Sequence, residues 1–161
     1  LNERESHLEL FADGNAITIQ QMLNQNQATG TLRLRNTPTF LPIIISQVAG
    51  DSSSCIIPSN NLNINRLRSR APLYQLEAVI CDINQHKVIF MRDLPTDKWY
   101  YYQKTRTCQE LDHNLNEDLK NILESNSTRE QQKLIRSAHF LLSVIFFNAT
   151  KYIYKQEIDV N

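Results

Sequence analysis

The chain has 161 residues, with 17 Lys and Arg against 17 Asp and Glu, so its formal net charge at pH 7 is zero. This length is typical of one domain with its own hydrophobic core. A balanced charge argues against a protein that mainly neutralises nucleic-acid phosphates or coats an anionic membrane, so we expect neither partner. The longest apolar run, residues 140–147, is too short to cross a bilayer.

The cysteines and histidines form no metal-binding pattern. Cys55, Cys81 and Cys108 are widely spaced without a C-x-x-C pair, and the four histidines are dispersed. We therefore expect no metal site, no cofactor and no disulfide framework. Unpaired thiols of this kind favour a reducing compartment, cytoplasmic or nuclear.

The N-terminal third of the chain predicts one helix and then strands. A short amphipathic helix is predicted over 17–24, where Thr18 and Gln21 have the spacing of a capping box. The alternating residues 32–35 are typical of a half-buried strand. The apolar, β-branched run 40–45 predicts a strand buried on both faces.

The middle of the chain predicts an antiparallel meander. The basic run 66–71 is most simply a solvated loop. Strands are then predicted over 74–81, 87–92 and 99–102, with short connections between them. Short connections favour antiparallel neighbours.

The C-terminal part of the sequence predicts helices. Residues 115–123 have an amphipathic pattern, and Ser127 with Glu130 repeats the capping-box spacing. The apolar positions that follow continue with helical periodicity to Ile145, which predicts one helix that contains His139.

The element order predicts an α+β fold, an antiparallel sheet with flanking helices. Residues 112–161 are expected to form a helical C-terminal tail, and within it residues 152–154 predict a closing strand. The whole chain, 1–161, is expected to form one domain.

His86 is the histidine with the most informative position. It stands where a tight connection enters a strand, a place where catalytic bases are often found. The ordinary alternative, a surface histidine, remains open on position alone.

Several motifs in order resemble one protease family. The segment YQLEAVICDINQHKVIFMR at 74–92, followed by WYYY at 99–102, is similar to the histidine box of the ubiquitin-specific proteases, roughly Y-x-L-x-A-V, G-H-Y and W-x-x-F-D. Segments 18–23, 37–47 and 57–64 have counterparts upstream. The short loop before the histidine resembles the cylindromatosis-type (CYLD) deubiquitinases most.

The resemblance implies isopeptide hydrolysis by a Cys-His-Asp/Asn arrangement. In this sequence the histidine is in place, the orienting residue is replaced and the nucleophile is missing. His86 stands at the base position, but Lys87 replaces the following aromatic residue. Gln103 replaces the Asp or Asn that orients the imidazole. No cysteine has the surroundings of the family nucleophile, so we expect no nucleophile in this chain.

The resemblance also implies that only the second half of the family's catalytic domain is present. The zinc-binding B-box-like insertion is absent, and 66–71 fills its place. The chain starts on Leu1 rather than Met, so we expect a piece of a longer protein. The sheet is then expected to pack on an N-terminal lobe or on a partner chain.

The resemblance and its departures leave two hypotheses for the function. The favoured hypothesis is a degenerate, non-catalytic domain that acts through protein–protein interaction, as a scaffold or a ubiquitin-pathway adaptor with ubiquitin as one candidate partner. Its binding residues are predicted to be Lys87, Trp99, Tyr100 and Tyr101, with some of these aromatic side chains in the core instead. The alternative is the histidine-bearing part of an active cysteine deubiquitinase whose nucleophile lies on another segment.

Overall fold

The computed structural model describes residues 7–12, 17–28, 38–47, 55–64, 73–103 and 108–157. Within these ranges the fold is α+β, with helices packed against a mostly antiparallel sheet. The strands are β1 Leu8–Ala12, β2 Phe40–Gln47, β3 Asn61–Asn63, β4 Leu73–Ile83, β5 His86–Asp93, β6 Lys98–Gln103, β7 Gln109–Glu110 and β8 Ala149–Gln156. The helices are α1 Ile19–Ala28, α2 His113–Glu124, α3 Thr128–Arg136 and α4 Phe140–Phe147.

The sheet runs in the order β1-β2-β8-β4-β5-β6-β7, and β3 pairs with the start of β4. The predicted antiparallel meander β4-β5-β6 is confirmed. The predicted closing strand is also confirmed, but β8 lies in the middle of the sheet, between β2 and β4. The last strand therefore joins the two halves of the sheet. The predicted helical tail is helical only up to this strand.

Within the described residues, elements pack on one face of the sheet and leave the other uncovered. The inner face carries buried side chains such as Val79, Phe90 and Tyr152, which share one core with the helices. On β2 the inner residues are buried, whereas Phe40 on the outer face is 49% exposed. The expectation that 40–45 is buried on both faces was therefore wrong for this chain, because no described element packs on the outer face.

Local capping predictions hold well. The N–H of Gln21 donates to Thr18 Oγ1 (3.1 Å), and the N–H of Thr18 donates to Gln21 Oε1 (3.0 Å), so both halves of the predicted box form. At α3 the N–H of Glu130 donates to Ser127 Oγ at 3.3 Å. Each bond satisfies a backbone donor that the first helical turn leaves free.

The predicted long C-terminal helix is instead two helices. α3 ends at Arg136, where Ser137 adopts a non-helical conformation, and α4 begins at Phe140. His139 is thus not inside a helix: its Nδ1 accepts the N–H of Leu141 (3.1 Å) and caps α4. Apolar periodicity continued through the break because α3 and α4 both bury one side against the same core.

Two short strands were not predicted, and two predictions lie outside the described residues. β1 pairs in parallel with β2, and β7 is a two-residue strand beside β6. The predicted strand 32–35 and the predicted loop 66–71 fall outside the described ranges.

An arginine fixes the turn between β5 and β6. The Arg92 guanidinium donates to Asp97 Oδ1 (2.6 Å) and to Asn60 Oδ1 (2.7 Å), and it lies 5.8 Å from the centre of the Trp99 ring. Its side chain is 11% exposed. A buried cation with several hydrogen bonds is costly to disturb, so the register of β6 against β5 is firmly set.

Candidate functional site

A two-residue turn, Asn84 and Gln85, places His86 at the start of β5. Asn84 and Gln85 both have positive φ, 48° and 70°, and Ile83 pairs with His86 across the turn. Two consecutive left-handed residues are typical of a type I′ hairpin, in which glycine is favoured at the second position. Gln85 takes this conformation where the resembling family has the glycine of its G-H-Y motif. The turn therefore forms here without glycine at that position.

The sheet register places His86 and Gln103 on one face of neighbouring strands. Val88 pairs directly with Gln103, and His86 lies two residues before Val88 on β5. Directly opposed residues of an antiparallel pair share a face, so Gln103 is the diagonal neighbour of His86, about 7–8 Å away. His86 is exposed and Gln103 is half-buried. The diagonal neighbour of His86 on β6 is thus an uncharged amide, which offers an imidazolium less stabilisation than a carboxylate would.

The structure brings one cysteine to the same corner, which sequence reasoning missed. Cys81 pairs with Val88 from β4, so it is the second diagonal neighbour of His86 on the inner face. The strand register could have revealed this, because a two-residue turn fixes every pair along the hairpin. Cys81 is fully buried, and its burial raises the pKa of the thiol to about 12. Such a thiol stays protonated at neutral pH and is a poor nucleophile.

The other two cysteines also lack an activated environment. Cys55 is half-buried, and burial raises its thiol pKa above the ordinary value. Cys108 is exposed next to β7, and it does not lie at a helix N-terminus. Thiolates are stabilised at helix N-termini or beside cations, and neither is found at Cys55 or Cys108 within the described residues.

The predicted binding residues divide between the two faces of the sheet. Trp99 is 2% exposed in the core, so its prediction as a surface anchor is corrected: it faces the helices because it alternates with Tyr100 along β6. Tyr101 is half-buried on the inner face and packs at 6.4 Å from the ring of Phe90. Tyr100 and the exposed Lys87 lie on the outer face.

The outer face is broad and mostly apolar. Its apolar side chains come from five adjacent strands, β2, β8, β4, β5 and β6, and are exposed or half-buried in the described part of the chain. Lys151 and Lys155 of β8 lie among them. The apolar residues are Phe40, Pro42, Ile44, Ile153, Ala78, Ile80, Ile89, Met91, Tyr100 and Tyr102. Contiguous exposed apolar surface of this kind marks interaction sites in soluble proteins.

Among the described residues, no group of three or more His, Cys, Asp and Glu side chains is placed to hold a metal ion. No helix in these ranges has both the length and the apolar character that crossing a membrane requires.

The fold resembles solved structures, whereas the sequence gives no match. No family model and no curated protein matches the chain. A crystal structure of an essential yeast splicing factor aligns at 14% identity with a TM-score of 0.53, covering 94% of this chain and 36% of that one. The Ubp8-Sgf11-Sgf73-Sus1 SAGA DUB module aligns at 11% identity with a TM-score of 0.57, covering 94% and 34%. A yeast SAGA DUB module with a mutated Sgf73 aligns at 12% identity with a TM-score of 0.54, covering 96% and 34%.

The chain therefore spans about a third of the length of these solved chains. Its α+β architecture, a mostly antiparallel sheet with flanking helices, is consistent with the fold of the ubiquitin-specific proteases. At these identities the likeness concerns the fold alone. One of the matched proteins belongs to a DUB module and another is described as a splicing factor, in keeping with the rule that a fold does not fix an activity.

Proposed function

We propose that this chain is a degenerate, non-catalytic domain of the ubiquitin-specific-protease type that acts through protein–protein interaction. The observation that carries the proposal is the residue on the strand beside His86, where the diagonal neighbour is the uncharged amide Gln103. A catalytic imidazole becomes positively charged when it takes the proton of the thiol, and a neighbouring carboxylate stabilises that charge. A glutamine amide is uncharged and longer than Asn by one methylene, and a displacement of about 1 Å in such a site is already costly.

The state of the thiols supports the same function. The three cysteines of the sequence are all described, and the one nearest His86 is a fully buried thiol with a raised pKa. A histidine next to an inaccessible thiol cannot present a thiolate to an isopeptide carbonyl. Cys81 therefore serves as a small core residue beneath the hairpin.

The outer face supports a protein partner. Aromatic and aliphatic residues prevail on this face, as in the centre of protein interfaces, and the two lysines Lys151 and Lys155 of the central strand β8 lie among them. Its occupant, in this proposal, is an N-terminal lobe or a partner chain, with Tyr100 as an anchor and Lys87 at the rim. Lys87 places a cation where the family has an aromatic wall for the arginine-bearing ubiquitin tail, which disfavours capture of that tail. We place the domain in the cytoplasm or the nucleus.

The alternative function is that of the histidine-bearing part of an active deubiquitinase. The observation in its favour is that His86 is exposed at a rigid hairpin end, open to a nucleophile from another segment. The two functions predict opposite results with a ubiquitin electrophile.

A ubiquitin carrying a C-terminal vinyl methyl ester separates these functions. We expect no covalent adduct when the full-length natural protein is incubated with this probe, because no thiolate faces His86. The measurement is intact-mass spectrometry, with a Cys108→Ala variant as the control for non-specific labelling of the exposed thiol. A stable adduct that persists in Cys108→Ala and disappears in His86→Ala would establish the catalytic alternative instead.

A further inference from the structure

We propose that α3 and α4 together form a docking surface for an acidic protein segment with apolar side chains. The surface is distinct from His86 and from the outer face of the sheet, and it does not depend on whether the domain is catalytic. We call it the α3–α4 surface and define it by Arg129, Lys133, Arg136, Phe140, Val144 and Phe147.

α3 presents a basic stripe directly away from the core. Arg129, Lys133 and Arg136 follow the i, i+4, i+7 spacing, so they lie within about 60° of one another around the helix. The buried residues Gln131 and Ile135 lie on the opposite side. The three cations are exposed, and none forms an ion pair with another described residue.

The charge of α3 differs from that of the chain as a whole. The helix has three cations against one acid, Glu130, so its net charge is +2, whereas the whole chain is neutral. Glu130 lies about 100° around the helix from Arg129 and lines the same cleft as the three cations, which leaves the cleft with an excess of positive charge. Two of the three acids of α2 line other clefts: Glu117 lies with Asp97, and Glu124 lies beside the α2–α3 turn. A local positive field of this kind selects an acidic partner.

α4 continues the surface with an apolar stripe. It contains no charged residue, and its sequence FLLSVIFF is apolar on every side although only one side is buried. Phe140, Val144 and Phe147 repeat the i, i+4, i+7 spacing. Phe140 is 74% exposed and Phe147 is 44% exposed, whereas Val144 is half-buried and packs against the core. A helix that is apolar all round is normally covered on all sides. The outward side of α4 is therefore typical of a contact surface.

The combination favours a protein segment over a lipid surface or a nucleic acid. Arginine and phenylalanine are enriched at the centres of protein interfaces, where a few such side chains supply most of the binding energy. Three cations in a neutral chain give little attraction to an anionic bilayer, for which four to eight clustered basic residues are usual. The basic stripe of α3 and the exposed apolar residues of the neighbouring α4 match the acidic and apolar side chains of an amphipathic acidic segment.

The probe for this surface is a fluorescein-labelled amphipathic peptide with leucines on one helical face and glutamates along its flank. Fluorescence anisotropy is measured with the protein at low ionic strength, and a second peptide carries Lys in place of each Glu. We expect the acidic peptide to bind, the basic peptide not to bind, and the affinity to fall as salt screens the charges.

Matched variants assign the binding to the named residues. Arg129→Gln/Arg136→Gln and Phe140→Ser are each expected to weaken binding about tenfold, whereas Arg129→Lys/Arg136→Lys and Phe140→Leu retain it. Circular dichroism checks that each variant is folded. Equal binding of both peptides, no effect of the Gln and Ser variants, or no acidic binding at all would overturn the proposal. Binding to phosphatidylserine vesicles through these residues without peptide binding would overturn it in favour of a membrane surface.

Discussion

Replacing Trp99 with alanine is expected to lower the free energy of unfolding by about 3–5 kcal/mol, the usual cost of deleting a large buried aromatic side chain. Trp99 is 2% exposed and its ring lies 5.8 Å from the Arg92 guanidinium. The backbone N–H of Trp99 also donates to Asn116 Oδ1 at 2.8 Å, which joins β6 to α2. Urea denaturation followed by circular dichroism measures the loss.

Tyr102→Ala is the matched control for Trp99→Ala. It removes a large aromatic side chain from the same strand, but Tyr102 lies on the outer face and is 39% exposed. We expect its cost to be about 1 kcal/mol or less. Since a shift of one residue exchanges the two faces of a strand, a larger loss for Tyr102→Ala than for Trp99→Ala would contradict the register of β6. The positions of Gln103 and His86 rest on that register.

The buried thiol of Cys81 is expected to make the fold sensitive to alkaline pH. Burial raises its pKa from 9.0 to about 12 in the folded chain. Below pH 9 the thiol is protonated in both states, and its contribution to stability is fully present. Above pH 9 the unfolded chain releases the proton while the folded chain retains it, so stability falls by about 1.4 kcal/mol per pH unit until about pH 12.

The comparison with Cys81→Ala isolates this effect. The free energy of unfolding of the wild-type chain should fall by about 2 kcal/mol more than that of Cys81→Ala between pH 9 and pH 10.5. Burial also raises the pKa of Tyr152 and Tyr154, and the charge of an ionised Cys81 adds to the shift of Tyr152. Up to pH 10.5 Cys81 and both tyrosines stay protonated in the folded state, so the contribution of the tyrosines cancels between the two proteins. Parallel profiles for the wild type and Cys81→Ala would show that Cys81 is accessible and that its role as an inert core residue is wrong.

Local signals in the sequence predicted the fold best. The box of Thr18 and Gln21 depends on residues three apart and formed as expected, and so did the cap of Ser127 on α3. Strands β4, β5 and β6 were predicted because short turns leave only one economical pairing. These elements are those in which neighbours along the chain are also neighbours in space.

Long-range contacts explain what the sequence did not predict. β8 enters the centre of the sheet because Tyr152 and Tyr154 fill the core between β2 and β4, and no local pattern encodes that position. The parallel pairing of β1 with β2 likewise joins segments distant in sequence. The break before α4 was missed because His139 caps the new helix with a side chain that is uncommon at this position.

The candidate site was predictable in part. Resemblance to the histidine box identified His86 at the start of a strand and Gln103 at the position of the orienting Asp or Asn. The strand register places both on one face of the sheet. The nearness of Cys81 and the burial of Trp99 required the register and the packing of the helices. Residue types thus indicated the chemistry to look for, whereas burial decided which side chains are accessible.

The most direct test of the proposed non-catalytic role is ubiquitin hydrolysis by the full-length natural protein. A fluorogenic ubiquitin C-terminal amide is the substrate, and His86→Ala is the paired variant. We predict that the wild-type protein and His86→Ala both release the fluorophore at the rate of the buffer alone. A rate above this background that is abolished in His86→Ala would contradict the proposal and identify the domain as the base-bearing part of an active deubiquitinase.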